Sequence, residues 1–184
     1  ADLEDAVRLV ETLRSRLVPD DYLRRGFGRS YQDLFSALIA VQLGKGQPRE
    51  ALATAERARA RALLDLLASR RRAAPDAAPA ESTPATFDEI ADVAKRQRST
   101  VVAYWVGASE TFVWVVHGDR TIAPSRIAVT ASDLAVMVQN AVGGSAQSQM
   151  AAATLGAGSA GRPWRSLHRL LVEPIARHLP TRTG

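Results

Sequence analysis

Two consecutive runs of six residues, Val101-Val102-Ala103-Tyr104-Trp105-Val106 and Thr111-Phe112-Val113-Trp114-Val115-Val116, constrain this chain more than any other part of it. Both are built from the β-branched and aromatic residues that fit a pleated surface. Turn formers bound them, Gly107-Ala108-Ser109-Glu110 after the first and His117-Gly118-Asp119-Arg120 after the second, which predicts a β-hairpin. A hairpin with one wet face alternates apolar with polar. Here Val101, Ala103 and Trp105 share one face and Val102, Tyr104 and Val106 the other, while Phe112, Trp114 and Val116 oppose Val113 and Val115. Both faces are apolar, so both are expected to be covered, with Trp105 and Trp114 buried in one sheet. Pro124 has no amide proton to donate, which puts Thr121–Ile127 at an edge or in a short terminal ladder. The rest of the chain then has to supply covering helices.

The helical material is plentiful. From Asp2 to Val18, Leu3, Ala6, Val7, Val10, Leu13 and Leu17 recur at helical spacing and predict an amphipathic helix ended by Pro19. A second helix is predicted from Ser30 to Leu43, stopping at Gly44-Lys45-Gly46. A third runs from Pro48 to Ser69, closed by Arg70-Arg71-Arg72, whose charge suits a helix C-terminus. Ala73–Ala85 is Ala/Pro-rich without periodicity and reads as a linker. Thr86 and Glu89 form a capping box for a short helix to Arg96, feeding directly into the hairpin. Thr130 and Asp133 repeat the device before Leu134, Met137, Val138, Ala141 and Val142, a stripe expected to cover one sheet face. The last helix, Trp164–Leu179, carries Leu167, Leu170, Leu171, Ile175 and Leu179 on one side and should be kinked by Pro174.

Residues that carry chemistry are scarce. The sequence contains no cysteine, which excludes disulfides, thiolate metal sites and a cysteine nucleophile within it. His168 and His178, both on the last predicted helix, stand about 80° apart around its axis and about 15 Å apart along it, too far to share a metal. His117 falls in a turn and reads as a surface residue. No Gly-x-Ser-x-Gly elbow exposes a serine. Gly156-Ala157-Gly158-Ser159-Ala160-Gly161 matches the dinucleotide fingerprint, but no strand delivers it and no carboxylate follows at ribose distance. The uncharged segment Gly143–Gly161 is expected to be a mobile loop. No catalytic, cofactor-binding or metal-ligating residue is assigned, and no cofactor is expected.

A net charge of +5 rests almost wholly on arginine, since Lys45 and Lys95 are the only lysines. An Arg and Ala bias of this kind often follows coding composition, so charge alone does not make the chain a nucleic-acid binder. An apolar share of 46% against 23% charged over 184 residues is globular, enough for one core or two small units. No apolar run approaches a membrane span and the start is not a signal sequence, so a soluble cytoplasmic protein is expected.

Two resemblances add to this reading. The stretch YQDLFSALIAVQLGKGQPREALATAERA resembles a tetratricopeptide repeat, with Phe35, Leu38, Gly46, Ala51, Ala55 and Ala58 at its packing positions. That pair of helices, then AERARARALLDLL, a loose linker, VVAYWV, TFVWVV and finally LHRLLVEPIARHLP resembles, in this order over Ser30–Pro180, the CHAT domain proteins, caspase-like cysteine peptidases that follow tetratricopeptide repeats. The most specific parts are Ala55–Leu67, Val101–Val116 and Leu167–Pro180.

The resemblance implies an α/β fold with an all-α N-terminal arm: a tetratricopeptide-like arm over 1–72, a linker over 73–85, and the incomplete N-terminal part of a caspase-like sandwich over 86–184. The family's catalytic His and Cys lie further on than Gly184, so none is carried onto a residue here. The resemblance further implies a larger bacterial-type cytoplasmic peptidase, with a protein partner on the arm and the rest of the domain or a second polypeptide beside the sheet. The alternative is an interaction scaffold that has lost its dyad.

Overall fold

The computed structural model describes residues 5, 21–73, 83–142 and 162–180. Apart from the helical Asp5, the expected helix over Asp2–Val18 lies outside them, as do most of the linker and the loop Gly143–Gly161 with its fingerprint-like glycines. The chain divides into two compact units, Ala1–Val101 with Val116–Ile122, and Val102–Val115 with Ala123–Gly184.

The first unit is built on α1 (Asp21–Gly44), α2 (Pro48–Ala73) and α3 (Phe87–Arg96). Helix α1 begins at Asp21 rather than the expected Ser30. Gly26 and Gly28 hide its first turns from a periodicity reading, but each costs only about 1 kcal/mol in a helix, and propagation from a packed segment adds one hydrogen bond per residue. Helix α2 likewise continues to Ala73 rather than ending at Ser69, because arginine is a good helix former and nothing breaks the chain at Arg70-Arg71-Arg72.

The two helices meet through Phe35, Ile39, Ala51, Leu52 and Ala55, all fully buried, with Leu38 and Ala58 nearly so. Alanines at the crossing let the backbones approach closely, while Phe35, Ile39 and Leu52 contribute about 1.5–3 kcal/mol each by leaving water. One polar pair is enclosed with them. Thr54 Oγ1 donates to Gln42 Oε1 at 2.9 Å, so neither buried group is left unsatisfied.

Helices α1 and α3 end in the same motif. After α1, Gly46 N–H reaches Leu43 O and Gln47 N–H reaches Gln42 O. After α3, Arg98 N–H reaches Lys95 O and Ser99 N–H reaches Ala94 O. This is the Schellman arrangement, whose pivot residue is left-handed. Gly46 takes that position with φ +70° at the first, and Arg98 with φ +48° at the second. At its other end α3 carries the expected capping box. Glu89 N–H donates to Thr86 Oγ1 at 3.2 Å and Thr86 N–H to Glu89 Oε2 at 2.8 Å.

Strands β1 (Val101–Val106), β2 (Thr111–Val116) and β3 (Ile122–Ile127) form a small antiparallel sheet in the order β1-β2-β3. The first turn closes through Gly107 N–H to Glu110 O at 2.9 Å, the second through His117 N–H to Thr121 O at 3.0 Å. Strand β3 is an edge, as Pro124 requires. The expectation of two covered faces holds for β2, where all six residues are buried. It fails for β1, which is partly exposed at every position, so Trp105 is only half-buried while Trp114 is fully enclosed. The middle strand has a neighbour on each side and β1 lies at the end of the order.

In the second unit Val113, Val115, Ile127, Val129 and Ile175 form a buried core, with Val102, Tyr104, Leu134, Leu170, Leu171 and Leu179 packed against it. The Tyr104 hydroxyl donates to Leu171 O at 2.7 Å and Thr111 Oγ1 to Val129 O at 3.1 Å. Helix α4 (Ala131–Val142) starts as expected on Thr130, whose Oγ1 accepts Asp133 N–H at 3.1 Å. Its expected stripe is only half realised. Leu134, Met137 and Ala141 are half-buried, but Val138 and Val142 are exposed, 43% and 67%. On a 3.6-residue period Leu134, Met137 and Ala141 share one line, and the other two lie beside it.

The C-terminal helix also departs from expectation. Helix α5 (Arg162–Leu171) ends before Pro174, and a 3₁₀ helix follows over Glu173–His178. Proline inside an α-helix removes a hydrogen bond and clashes with the preceding turn, whereas near the start of a new helix its missing N–H costs nothing. The outcome is a break in place of a kink, and it still delivers Ile175 to the core.

Candidate interaction surfaces

The described residues hold no group of three or more His, Cys, Asp or Glu placed to bind a metal ion. The three imidazoles are scattered. His117 Nδ1 lies 3.3 Å from Thr100 Oγ1, His168 is exposed on α5, and His178 Nε2 takes the Arg177 Nε–H at 3.0 Å. The break at Leu171 puts His168 and His178 on different helices, so the single-helix geometry expected for them does not apply. No described helix is long and apolar enough to cross a membrane.

What the first unit offers instead is surface. On α1 Asp33, Ala37, Val41 and Gly44 are exposed in one line, with Val41 at 44%. On α2 Arg49, Ala53, Ala62 and Leu63 are exposed, Leu63 at 46%. Arginines are anchored among them rather than free. Arg57 stacks over the Phe35 ring at 5.7 Å, and Arg59 pairs with Glu56 one turn back. Partial burial of the Arg59 guanidinium holds its pKa below the ordinary arginine value.

A second cluster joins α2, α3 and the turn after β2. Arg120, left-handed at φ +66°, forks between Asp88 Oδ1 at 2.7 Å and Asp92 Oδ1 at 3.0 Å, residues one helical turn apart on α3. Its carbonyl accepts Arg49 Nη2–H at 3.3 Å, and the Arg49 guanidinium lies 4.3 Å from the centre of the Phe87 ring. Gly118 lies so close to α3 that a Cβ there would stand 2.7 Å from Lys95 Cα. Asp119 accepts the Thr121 hydroxyl at 2.7 Å and its amide at 3.0 Å, and these bonds hold its carboxyl below the usual carboxylate range. Glu89 is lowered likewise by the Thr86 amide and hydroxyl, whereas burial pushes the Tyr104 phenol up. Sequence reasoning did not find this cluster. The Asp88/Asp92 spacing was its one visible sign, and their partner lies 32 residues beyond Asp88 in sequence.

Over 87 residues, 47% of this chain, the sequence is 37% identical to tetratricopeptide repeat protein 28 of Mus musculus, and to the same extent to its Homo sapiens counterpart. The match takes in only 3% of each relative's length. No protein-family model and no solved structure matches the chain. The similarity supports tetratricopeptide-like helices and carries nothing for a CHAT domain.

Proposed function

We propose that this chain is a protein-interaction scaffold whose tetratricopeptide-like α1/α2 hairpin holds a protein partner. The observation that carries the reading is the 37% match to a tetratricopeptide repeat protein, taken with a hairpin whose inner side is closed by Phe35, Ala51 and Ala55. Its exposed Asp33–Ala37–Val41 line is short, mostly uncharged and on a rigid element, which suits a protein surface better than a polyanion. The division into an arm over 1–72, a linker over 73–85 and an α/β part over 86–184 belongs to this proposal, as does a soluble cytoplasmic setting.

The finer reading is that 86–184 is the N-terminal part of a CHAT-type caspase-like sandwich. It would supply sheet and cover, with any peptide hydrolysis left to a His/Cys dyad outside this chain. That reading rests on the sequence resemblance alone, so the scaffold with no working dyad is preferred to the peptidase.

A photo-cross-linking residue placed at Ala37 or at Ser132 decides the matter. The expected result is that Ala37 captures one protein, identified by mass spectrometry, that binds the purified chain when reconstituted, while Ser132 captures none of it. Capture at Ser132 alone, or peptide hydrolysis by the purified chain, would overturn the proposal.

A further inference from the structure

The two Schellman turns among the described residues of the first unit differ at their left-handed pivot. Gly46 ends α1 in the left-handed region without penalty, because it has no Cβ. At the equivalent position after α3 stands Arg98, which an L side chain occupies only under strain. Arg120 is also left-handed, but its fork to Asp88 and Asp92 accounts for it. The Arg98 side chain is exposed and has neither ion pair nor hydrogen bond among the described residues. Strain retained at a residue whose side chain makes no polar contact among the described residues points to a role outside the fold.

Its neighbours give that role a chemistry. Lys95 and Arg96, in the last turn of α3, are exposed and equally without ion-pair partners among the described residues. Cations there complement the helix dipole, which accounts for those two but not for Arg98, beyond the helix end. The acidic side chains that could have neutralised the cluster are engaged. Asp88 and Asp92 are held by Arg120, and Asp119 is closed on Thr121.

We propose that Lys95, Arg96 and Arg98 form a docking site for a short acidic peptide segment of a protein partner, distinct from the hairpin surface. The proposal rests on the scaffold reading only in taking the ligand to be a protein. Arginine pairs carboxylates through two parallel hydrogen bonds, and three cations within four residues span only a few acidic side chains. A nucleic acid fits less well. Its affinity comes from many phosphate contacts along a rod, and the other half of α3 would meet that rod with Asp88, Glu89 and Asp92.

Fluorescence anisotropy of a labelled octaglutamate peptide against the whole chain tests this. Arg98→Gly should weaken binding about threefold or more, and the triple change Lys95→Gln, Arg96→Gln, Arg98→Gly about tenfold or more. Lys45→Gln, an equal loss of charge elsewhere on the same unit, should leave binding unchanged. Because glycine relieves the left-handed strain, Arg98→Gly should also raise Tm by about 2 °C, so that stability and binding move in opposite directions. An equal loss with Lys45→Gln, no loss with the triple change, or a lowered Tm in Arg98→Gly would overturn the proposal. So would an oligonucleotide of equal charge that binds more tightly and loses affinity with the same variants. None of these outcomes touches the hairpin reading, which the cross-links at Ala37 decide.

Discussion

Strands β1 and β2 have nearly the same composition, VVAYWV against TFVWVV, and a local reading treats them alike. In the fold they are not alike: every residue of β2 is buried and every residue of β1 is partly exposed. Pattern establishes that a segment wants both faces covered, whereas position in the sheet decides whether it gets them. Middle place in the order β1-β2-β3 gives β2 a paired backbone on both sides.

The contrast should be visible in stability, and the largest effect belongs to Trp114. Its replacement by Ala is expected to cost about 3–5 kcal/mol in denaturant unfolding. Trp114→Phe should cost much less, since the enclosed Nε1–H of Trp114 has no hydrogen-bond partner among the described residues and its removal relieves a desolvation penalty of about 1–3 kcal/mol. At the far end of β2, Gly118→Ala is expected to cost about 1–3 kcal/mol, because the atoms a new Cβ would strike are Lys95 backbone and cannot swing aside. Trp105→Ala in β1 should cost only about 1–2 kcal/mol, for the smaller area it withdraws from water. Equal losses at Trp105 and Trp114 would erase the distinction between the strands.

The smallest effect concerns the turn that closes β2. The Asp119 carboxyl is depressed in the folded state by Thr121, so its contribution is present above the unfolded carboxylate pKa and is lost as pH falls through the folded value. Asp119→Asn should therefore lower Tm slightly at neutral pH and make no difference in strong acid. A gap between wild type and variant that widens toward low pH would contradict the assignment.

Much of this fold was legible because its signals are short in range. The capping box at Thr86, the N-cap at Thr130, the strand limits at Val101, Val106, Thr111 and Val116, and the small residues Ala51, Ala55 and Ala58 each announce themselves within a few positions. What was not legible depends on partners far along the chain. Trp105 and Val138 are as apolar as Trp114 and Met137, yet their exposure follows from what stands opposite. Arg120 and Arg98 look alike as letters. Only the backbone reveals that both are left-handed, and only the side-chain geometry separates the one held by Asp88 and Asp92 from the one with no ion pair among the described residues.

The proposed division of labour, with the helical hairpin binding and the sheet giving structure, is put to the test by calorimetric titration of the partner captured at Ala37 against three forms of the chain: wild type, Val41→Asp on the hairpin, and Val138→Asp on α4. Both altered residues are exposed to a similar degree, 44% and 43%, so both variants should keep the wild-type Tm. Val41→Asp should weaken binding of the partner about tenfold or more and Val138→Asp should leave it unchanged. Loss of binding with Val138→Asp and none with Val41→Asp would contradict it.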